Sequence, residues 1–400
     1  MRTLLISCIT LLMVPLSVHA TESATLRLTL ADAVKMAVEK NLDVKAEFYN
    51  PAIQEADIGK NLGIYDPTMS LEANYLNSTT ANVILGTPNP LGSQTSQFNA
   101  GLSQLFFTGG TASLAFNNTY YSNDKASSTS GYANYWQSAL GITVSQPLLK
   151  NFGREATELN IDVSKLGKKA AIEHFQQKLV ATVAQVRTEY YKLYSLRQER
   201  DVKKLSLELA RRILSETRAR VKAGVMPSME ILNAEFGVAT REKELIDSER
   251  AVSDQVDILR HLLQAKSAAD IETVEVPTGS AYEISEQEEI KRAIDTRPEL
   301  KELKYNLKVA ELQAKVAINK TRPDLALSAS ASATGLDRTF NGGMDRLATF
   351  DYPAWGVGLT FTYPIGNSSA ENDYRKYRLK AEQAAVQLRN QEELIANEVR

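Results

Sequence analysis

The 400-residue sequence predicts an α+β membrane protein built on an internal duplication. Long antiparallel helices pair as a coiled coil, and short strands contribute to a transmembrane β-barrel. Three observations predict this class. Landmark segments recur at fixed offsets. Heptad-spaced apolar residues run through segments of about 70 and about 40 residues. Stretches of about 9 to 10 residues alternate apolar with small or polar side chains, the length a tilted strand needs to cross a bilayer.

The N-terminus, MRTLLISCITLLMVPLSVHA, reads as a secretory signal peptide over residues 1–20. Arg2 supplies the positive region, residues 4–18 the apolar core, and Val18-His19-Ala20 a small-x-small cleavage site. The run is shorter than the roughly 20 residues of a spanning helix, which argues against a membrane anchor. Cys8 lies inside it, so the mature chain has no thiol for a disulfide, a metal or a lipid. No later stretch predicts a transmembrane helix. A secreted chain of this kind is soluble or enters a membrane as a β-barrel. The net charge of −2, or −3 without Arg2, gives no reason to expect nucleic acid.

The duplication is read from three alignments. AVEKNLDVK (37–45) lies over AIDTRPELK (293–301), an offset of 256. YDPTMSLEA (65–73) lies over TRPDLALSA (321–329) at the same offset. GITVSQPL (141–148) lies over GLTFTYPI (358–365), an offset of 217. The two offsets differ by 39, so the first copy carries an insertion of about that length. Each copy reads helix, strand, loop, strand, long helix. The first repeat spans 21–283 and the second 284–400, which stops inside its long helix. The offset puts a second hairpin tip near position 441, so the expectation is a fragment lacking about 80 residues.

Residues 152–222 contain no Pro and only two early Gly, and carry the seam Leu179, Val183, Val186, Tyr190, Leu193. At 1.5 Å per residue this helix spans roughly 105 Å. A returning helix over 227–265 carries Leu245, Val252, Val256, Leu259 and Leu263. A linker with Pro277 and Gly279 follows, then a short helix over 285–296. Pro298 opens a helix to Thr321. In the first copy, the matching piece over 50–65 is expected to open at Asn50-Pro51. Taken alone, the helices would also suit a free-standing coiled coil.

Strands are expected over 68–76, 138–147, 324–332 and 355–364, each with one apolar face. Tyr135, Trp136, Tyr352 and Trp355 sit at strand ends, where interface aromatics belong. A soluble sandwich has the same alternation. The secretion signal and the polar loops expected over 77–97 and 121–134 favour the barrel. Four strands cannot close one, since the smallest single-chain barrels use about eight, so several copies must share a wall. The insertion contains GLSQLFFTGGTASLAFNN (101–118), a strand, a turn and a strand within 98–120.

The helices turn at VKAGVMPSMEILNA (221–234). Gly224 can take the left-handed helix-stop conformation, Pro227 can start the next helix, and Glu230 falls in its first turn. A well-capped turn needs these residues whether or not it docks. Val225 and Met226 are apolar groups that a bare turn does not require.

Together with LTLADAVKMAVEKNLDV, YDPTMSLEANY, SALGITVSQPLLKNFG and KTRPDLALSASAS, the segment RVKAGVMPSMEILNAE resembles the TolC-like outer membrane efflux protein family. The pieces cover nearly the whole mature chain in the family's order. The resemblance implies a homotrimer whose β-barrel continues into an α-helical periplasmic tunnel. It implies placement in the outer membrane lipid of a Gram-negative bacterium, extending into the periplasm. It implies passive export, driven by an inner membrane pump of the RND, ABC or MFS type through a periplasmic adaptor. The adaptor-docking positions it implies are Arg220, Gly224, Val225, Met226, Pro227 and Ser228, and Glu230 is the periplasmic gate candidate. No enzyme activity, cofactor or metal is implied. If the inserted strands join the wall, three copies give 18 strands; if they lie outside or inside it, 12. The residues leave this open, as they leave the exported solute open among drugs, metal ions and polypeptides. The alternative is a non-transporting structural or adhesive envelope protein with coiled-coil stalks.

Overall fold

The structure, a computed structural model, describes residues 25–81, 83–84, 87–88, 91–123, 134–266, 270–277, 279 and 285–400. The expected signal peptide, parts of both polar loops and part of the linker lie outside the described residues. The chain begins with β1 (Leu26–Leu28), α1 (Leu30–Lys40) and α2 (Leu42–Leu62). Strands β2 (Thr68–Thr80), β3 (Val83–Ile84), β4 (Thr87–Pro88), β5 (Leu91–Leu105), β6 (Thr111–Asn123) and β7 (Asn134–Pro147) follow. Then come α3 (Arg154–Thr157), α4 (Leu159–Lys222), α5 (Met229–Leu263) and β8 (Ile271–Thr273). The last part is α6 (Glu286–Thr296), α7 (Pro298–Lys320), β9 (Asp324–Asp337), α8 (Phe340–Ala348), β10 (Tyr352–Thr362) and α9 (Ser368–Val399).

Leu30 and Glu286 start α1 and α6 256 positions apart, and the same spacing separates Leu42 from Pro298 and Thr68 from Asp324. Helix starts depart from expectation at three places: the helix expected over 152–222 is split into α3 and α4, which begins at Leu159, the returning helix expected from 227 begins at Met229, and α2 begins earlier than expected. Asn50-Pro51 does not open a helix; α2 begins at Leu42 and Pro51 lies inside it. Asn41 is the cause. Its side-chain oxygen accepts the backbone N–H groups of Asp43 (2.9 Å) and Val44 (3.2 Å), satisfying donors that a helix start leaves open.

The described residues fall into two compact units. The first draws on Met1–Glu47 and Lys178–Tyr282. Here β1 pairs in parallel with β8, Leu26 opposite Ile271. The buried core takes Val186, Tyr190 and Leu193 from α4, Val252, Val256, Leu259 and Leu263 from α5, and Ala33 and Ala37 from α1. These α4 and α5 residues are the seam read from the sequence. The small side chains of Ala33 and Ala37 let α1 approach the pair closely. The Tyr190 hydroxyl donates to the Leu28 carbonyl (2.9 Å) and accepts the N–H groups of Val274 and Glu275 (3.1 Å each). One buried side chain thus satisfies three backbone groups beside β1 and β8. Tyr190→Phe keeps the ring and strips these partners, so it is expected to cost about 1–3 kcal/mol. Urea unfolding of the two proteins reads that difference directly.

The second unit draws on Phe48–Gln177 and Glu283–Arg400 and holds the main sheet. Its six strands are ordered β10-β9-β7-β6-β5-β2, and every neighbouring pair is antiparallel. The inserted segment is therefore a hairpin, β5–β6, within the same sheet as the four strands expected. The strands are longer than the apolar alternation implied. Residues 77–80 and 91–97, expected as loop, are strand, with Asn77 opposite Gln94 and Ser78 opposite Ser93. Backbone pairing needs no apolar side chain, so the ladder runs past the apolar band.

The β5–β6 turn is fixed at the strand-to-helix junction. Gly109 has φ +84°, and a side chain there would meet the Asn151 carbonyl. Gly153 donates its N–H to the Thr108 carbonyl (3.0 Å), and Gln146 Nε2 donates to the same oxygen (3.1 Å). Nearby, Arg154 Nε donates to the buried Glu158 carboxylate (2.8 Å), and the Tyr65 hydroxyl donates to its other oxygen (3.0 Å). The Arg154 bond, opposed by burial and aided by Tyr65, holds the Glu158 carboxyl below the usual carboxylate range. A folded value below the unfolded one stabilises the fold fully above the ordinary carboxylate pKa. That contribution disappears as pH falls through the depressed folded value. Glu158→Gln is therefore expected to melt earlier than the parent protein at neutral pH and to converge with it in acid, as a pH series of thermal melts would show.

Candidate functional site

The helical turn is built from the backbone outward. α4 ends in a two-bond cap: Val225 N–H reaches the Arg220 carbonyl (3.0 Å) and Gly224 N–H the Val221 carbonyl (2.9 Å). This pattern requires a left-handed residue at Gly224, which has φ +74°. No atom lies within 4 Å of a Cβ built there, so backbone conformation rather than packing selects glycine. Pro227 sits two residues before the first residue of α5, not at its start as expected. Ser228 is the N-cap, in helical conformation and with no side-chain capping bond. Glu230 lies in the first turn and accepts from Asn233 Nδ2 (3.4 Å). Arg220, Gly224, Val225, Pro227 and Ser228 are exposed, and Met226 and Glu230 are half-buried.

Val225 is 75% exposed, and the apolar surface continues beyond it. Met229, Leu232 and Phe236 repeat at helical spacing along α5 and are all exposed, Phe236 by 75%. Sequence reasoning missed this stripe. Its spacing is present in SMEILNAEF, on a face of the helix other than the heptad seam. Below the turn, ion pairs Arg218–Glu235 (2.6 Å) and Arg211–Glu242 (3.2 Å) bridge α4 and α5. Both are solvent-exposed, so they set register more than stability.

The sheet is two-faced, each face within the second unit. The register brings Leu71, Ala100, Phe116, Leu140, Ala333 and Pro353 into one row across all six strands. A parallel row holds Met69, Leu102, Leu114, Ile142, Ala331 and Trp355. Trp355 is 84% exposed. The other face carries Ser70, Gly101, Ala115, Gly141, Ser332 and Ala354. Glu72 stands on that polar face and accepts from Asn74 Nδ2 (2.8 Å) and Asn99 Nδ2 (3.4 Å). Sequence reasoning had not singled it out, because a lone carboxylate in an alternating strand marks only the wet face.

Aromatic side chains gather at one end of the strands. Tyr120 lies 5.0 Å from Trp136, and Trp136 meets Phe340 of α8 edge-on at 5.4 Å. α8 rests on the sheet here because Gly335 has no side chain; a Cβ would collide with the Gly343 carbonyl. Beneath it, Ser138 donates to Asn118 Oδ1 (2.7 Å), so the two buried polar groups satisfy each other. The outermost strands, β2 and β10, have no neighbour on their outer edges within this sheet.

Among the described residues no helix is long and apolar enough to cross a membrane, and no cluster of His, Cys, Asp and Glu could hold a metal ion. Residues 109–264 match the family model described as outer membrane efflux protein. No curated protein matches the chain. Solved structures share the fold. OprN, an outer-membrane channel, aligns with TM-score 0.65 and 16% identity over 92% of this chain and 72% of its own. The outer membrane channel CmeC of Campylobacter jejuni aligns with TM-score 0.62 and 16% identity, over 90% and 67%. The outer membrane protein VceC of Vibrio cholerae aligns with TM-score 0.58 and 15% identity, over 90% and 75%.

Proposed function

We propose that this chain, a TolC-like outer membrane efflux protein by its match over residues 109–264, is the outer membrane conduit of an export machine. It lies in the outer membrane of a Gram-negative bacterium and extends into the periplasm. Three copies close a β-barrel that continues into an α-helical tunnel. Solute passes through without chemistry, driven by an inner membrane pump and delivered through a periplasmic adaptor that docks on the α4–α5 turn. The two repeats, 21–283 and 284–400, are copies of one unit.

The observation that carries this reading is the six-stranded sheet. Its apolar rows suit lipid and its small polar rows suit water. Its strands of 11 to 15 residues reach or exceed the roughly 9–11 needed to span a bilayer. Free backbone groups on β2 and β10 cannot stay unpaired in hydrocarbon, so the sheet must close on further copies.

For docking, the supporting features are the exposed apolar groups at Val225, Met229, Leu232 and Phe236 beside the well-capped turn. Arg220, Gly224, Met226, Pro227 and Ser228 form its backbone and rim, and Glu230 is the candidate for a periplasmic gate charge. The test uses a chain whose single cysteine, Cys8, precedes the expected cleavage site. Ser228→Cys, cross-linked in cells, is expected to capture a periplasmic adaptor, identified by mass spectrometry. A correctly localised channel that captures no adaptor would reduce the turn to a helix cap.

A further inference from the structure

We infer that the inserted hairpin β5–β6 is a wall element that widens the outer membrane exit, so that the assembled barrel has eighteen strands rather than twelve. The inference rests on the channel reading above, including its ring of three copies. Each copy supplies six strands in one continuous ladder.

The hairpin cannot be a surface loop or a plug that only leans on the sheet. β5 pairs with β2 over thirteen residue positions and β6 with β7 over twelve, so it occupies the middle of the sheet. Its faces are in phase with its neighbours: Leu102 and Leu114 continue the row of Met69 and Ile142, while Asn99 and Asn117 continue the polar row of Glu72. A register slip of one residue would reverse this. Phe98, Leu102 and Leu114 are exposed on the apolar face. Hydrocarbon is the occupant that suits them, because the same face carries the aromatic cluster of Tyr120 and Trp136 at its rim. The turn at Gly109 is bonded to Gln146 and Gly153, which ties the hairpin to the start of the helices.

The geometry sets the consequence. With strands about 4.8 Å apart and tilted about 40°, twelve strands close at a backbone radius of about 12 Å and eighteen at about 18 Å. On the polar face two rows are small in all six strands, Thr68-Ser103-Ser113-Thr143-Ser330-Gly356 and Ser70-Gly101-Ala115-Gly141-Ser332-Ala354, while the next row carries Glu72, Asn99, Asn117 and Tyr352, so side chains take up least of the lumen at those two rows. The exit therefore admits bulky hydrated cargo, such as a partly folded polypeptide, and does not itself select for small solutes.

The deciding experiment is a cryo-electron microscopy map of the protein in lipid nanodiscs, counting copies and strands together. Three copies with eighteen strands, β5 and β6 lying between β2 and β7, is the expected result. Three copies with twelve strands, the hairpin lying inside or outside the wall, overturns the inference and leaves the channel reading standing. A particle without a ring-shaped barrel overturns the channel reading and this inference with it. A variant lacking residues 91–123 keeps β2 and β7 antiparallel. It is expected to form a twelve-stranded ring whose polymer-exclusion radius in planar bilayers is about 1.5-fold smaller at the barrel. An unchanged radius, with twelve strands in both maps, counts against the inference. If the deletion does not assemble, the strand count of the parent protein decides alone.

Discussion

Leu114→Arg is expected to block membrane assembly, while Asn117→Arg, three residues along the same strand, leaves it intact. Leu114 lies in the exposed apolar row between Leu102 and Ile142; Asn117 lies in the polar row between Asn99 and Ala139. An arginine on the lipid face near the bilayer centre costs about 2–4 kcal/mol, against roughly nothing in a water-filled lumen. The cost recurs in every copy of the ring. Refolding into lipid vesicles, followed by the yield of heat-modifiable oligomer, measures it. A fall of about 30-fold or more for Leu114→Arg with near-normal yield for Asn117→Arg is the expected pair of results. Asn117→Arg should also move the reversal potential of the open channel toward anions, because it adds a lumen charge near Glu72. Equal yields for both variants would mean that β6 does not face lipid and would remove the support for a membrane wall.

The same two rows explain why much of this fold could be read from sequence and part of it could not. Alternation exposed β2, β7, β9 and β10 because Met69, Leu71, Ile142, Val144, Val357 and Leu359 stand out against Ser, Thr and Gly. It was weaker in β5, where LSQLFF runs apolar residues together at the turn and the positions on the apolar face include Ser96 and Gln94. Pairing across strands, which is long-range, placed that hairpin; no local pattern distinguishes a wall strand from a strand folded outside it. Strand ends failed for a related reason. Asn77, Ser78 and Thr79 look like loop because they lie beyond the apolar band, yet their backbone ladder continues.

Helices behaved similarly. Val186, Tyr190 and Leu193 announced the buried seam by their spacing, since a core face must repeat at the helical period. The start of α2 is not legible from Pro51, a residue that suits a first helical turn but here lies inside the helix; the cap is Asn41, whose side chain accepts the first free N–H groups. At the turn, Gly224 was readable because few residues tolerate its conformation. The exposure of Met229, Leu232 and Phe236 was not, because periodicity marks an apolar face without saying whether this chain or another molecule covers it.

That uncovered face gives the second large effect. Val225→Glu combined with Met229→Glu is expected to abolish export while leaving the channel assembled and conducting. Val225 joins the cap only through its backbone N–H and Met229 opens α5, and both side chains are exposed, so the substitutions disturb no internal side-chain contact the fold depends on. Neither position has a positive φ; the left-handed residue is Gly224 between the helices. Intramolecular stability should therefore change little, within about 0.5 kcal/mol per site. Docking is different. Apolar anchors at the centre of an interface are worth about 2–4 kcal/mol each when lost, and a carboxylate trapped there without a partner adds to the cost. Adaptor binding should weaken by 30-fold or more, measured with purified components in detergent. In cells, resistance or secretion that depends on the machine should fall to the level of a strain without the channel, although the protein remains in the outer membrane at its normal level. Single-channel conductance provides the control: it should equal that of the parent protein, since neither residue lies in the barrel wall. Export that persists despite lost binding would place the adaptor elsewhere on the helices, and conductance lost together with export would make the turn part of the pore.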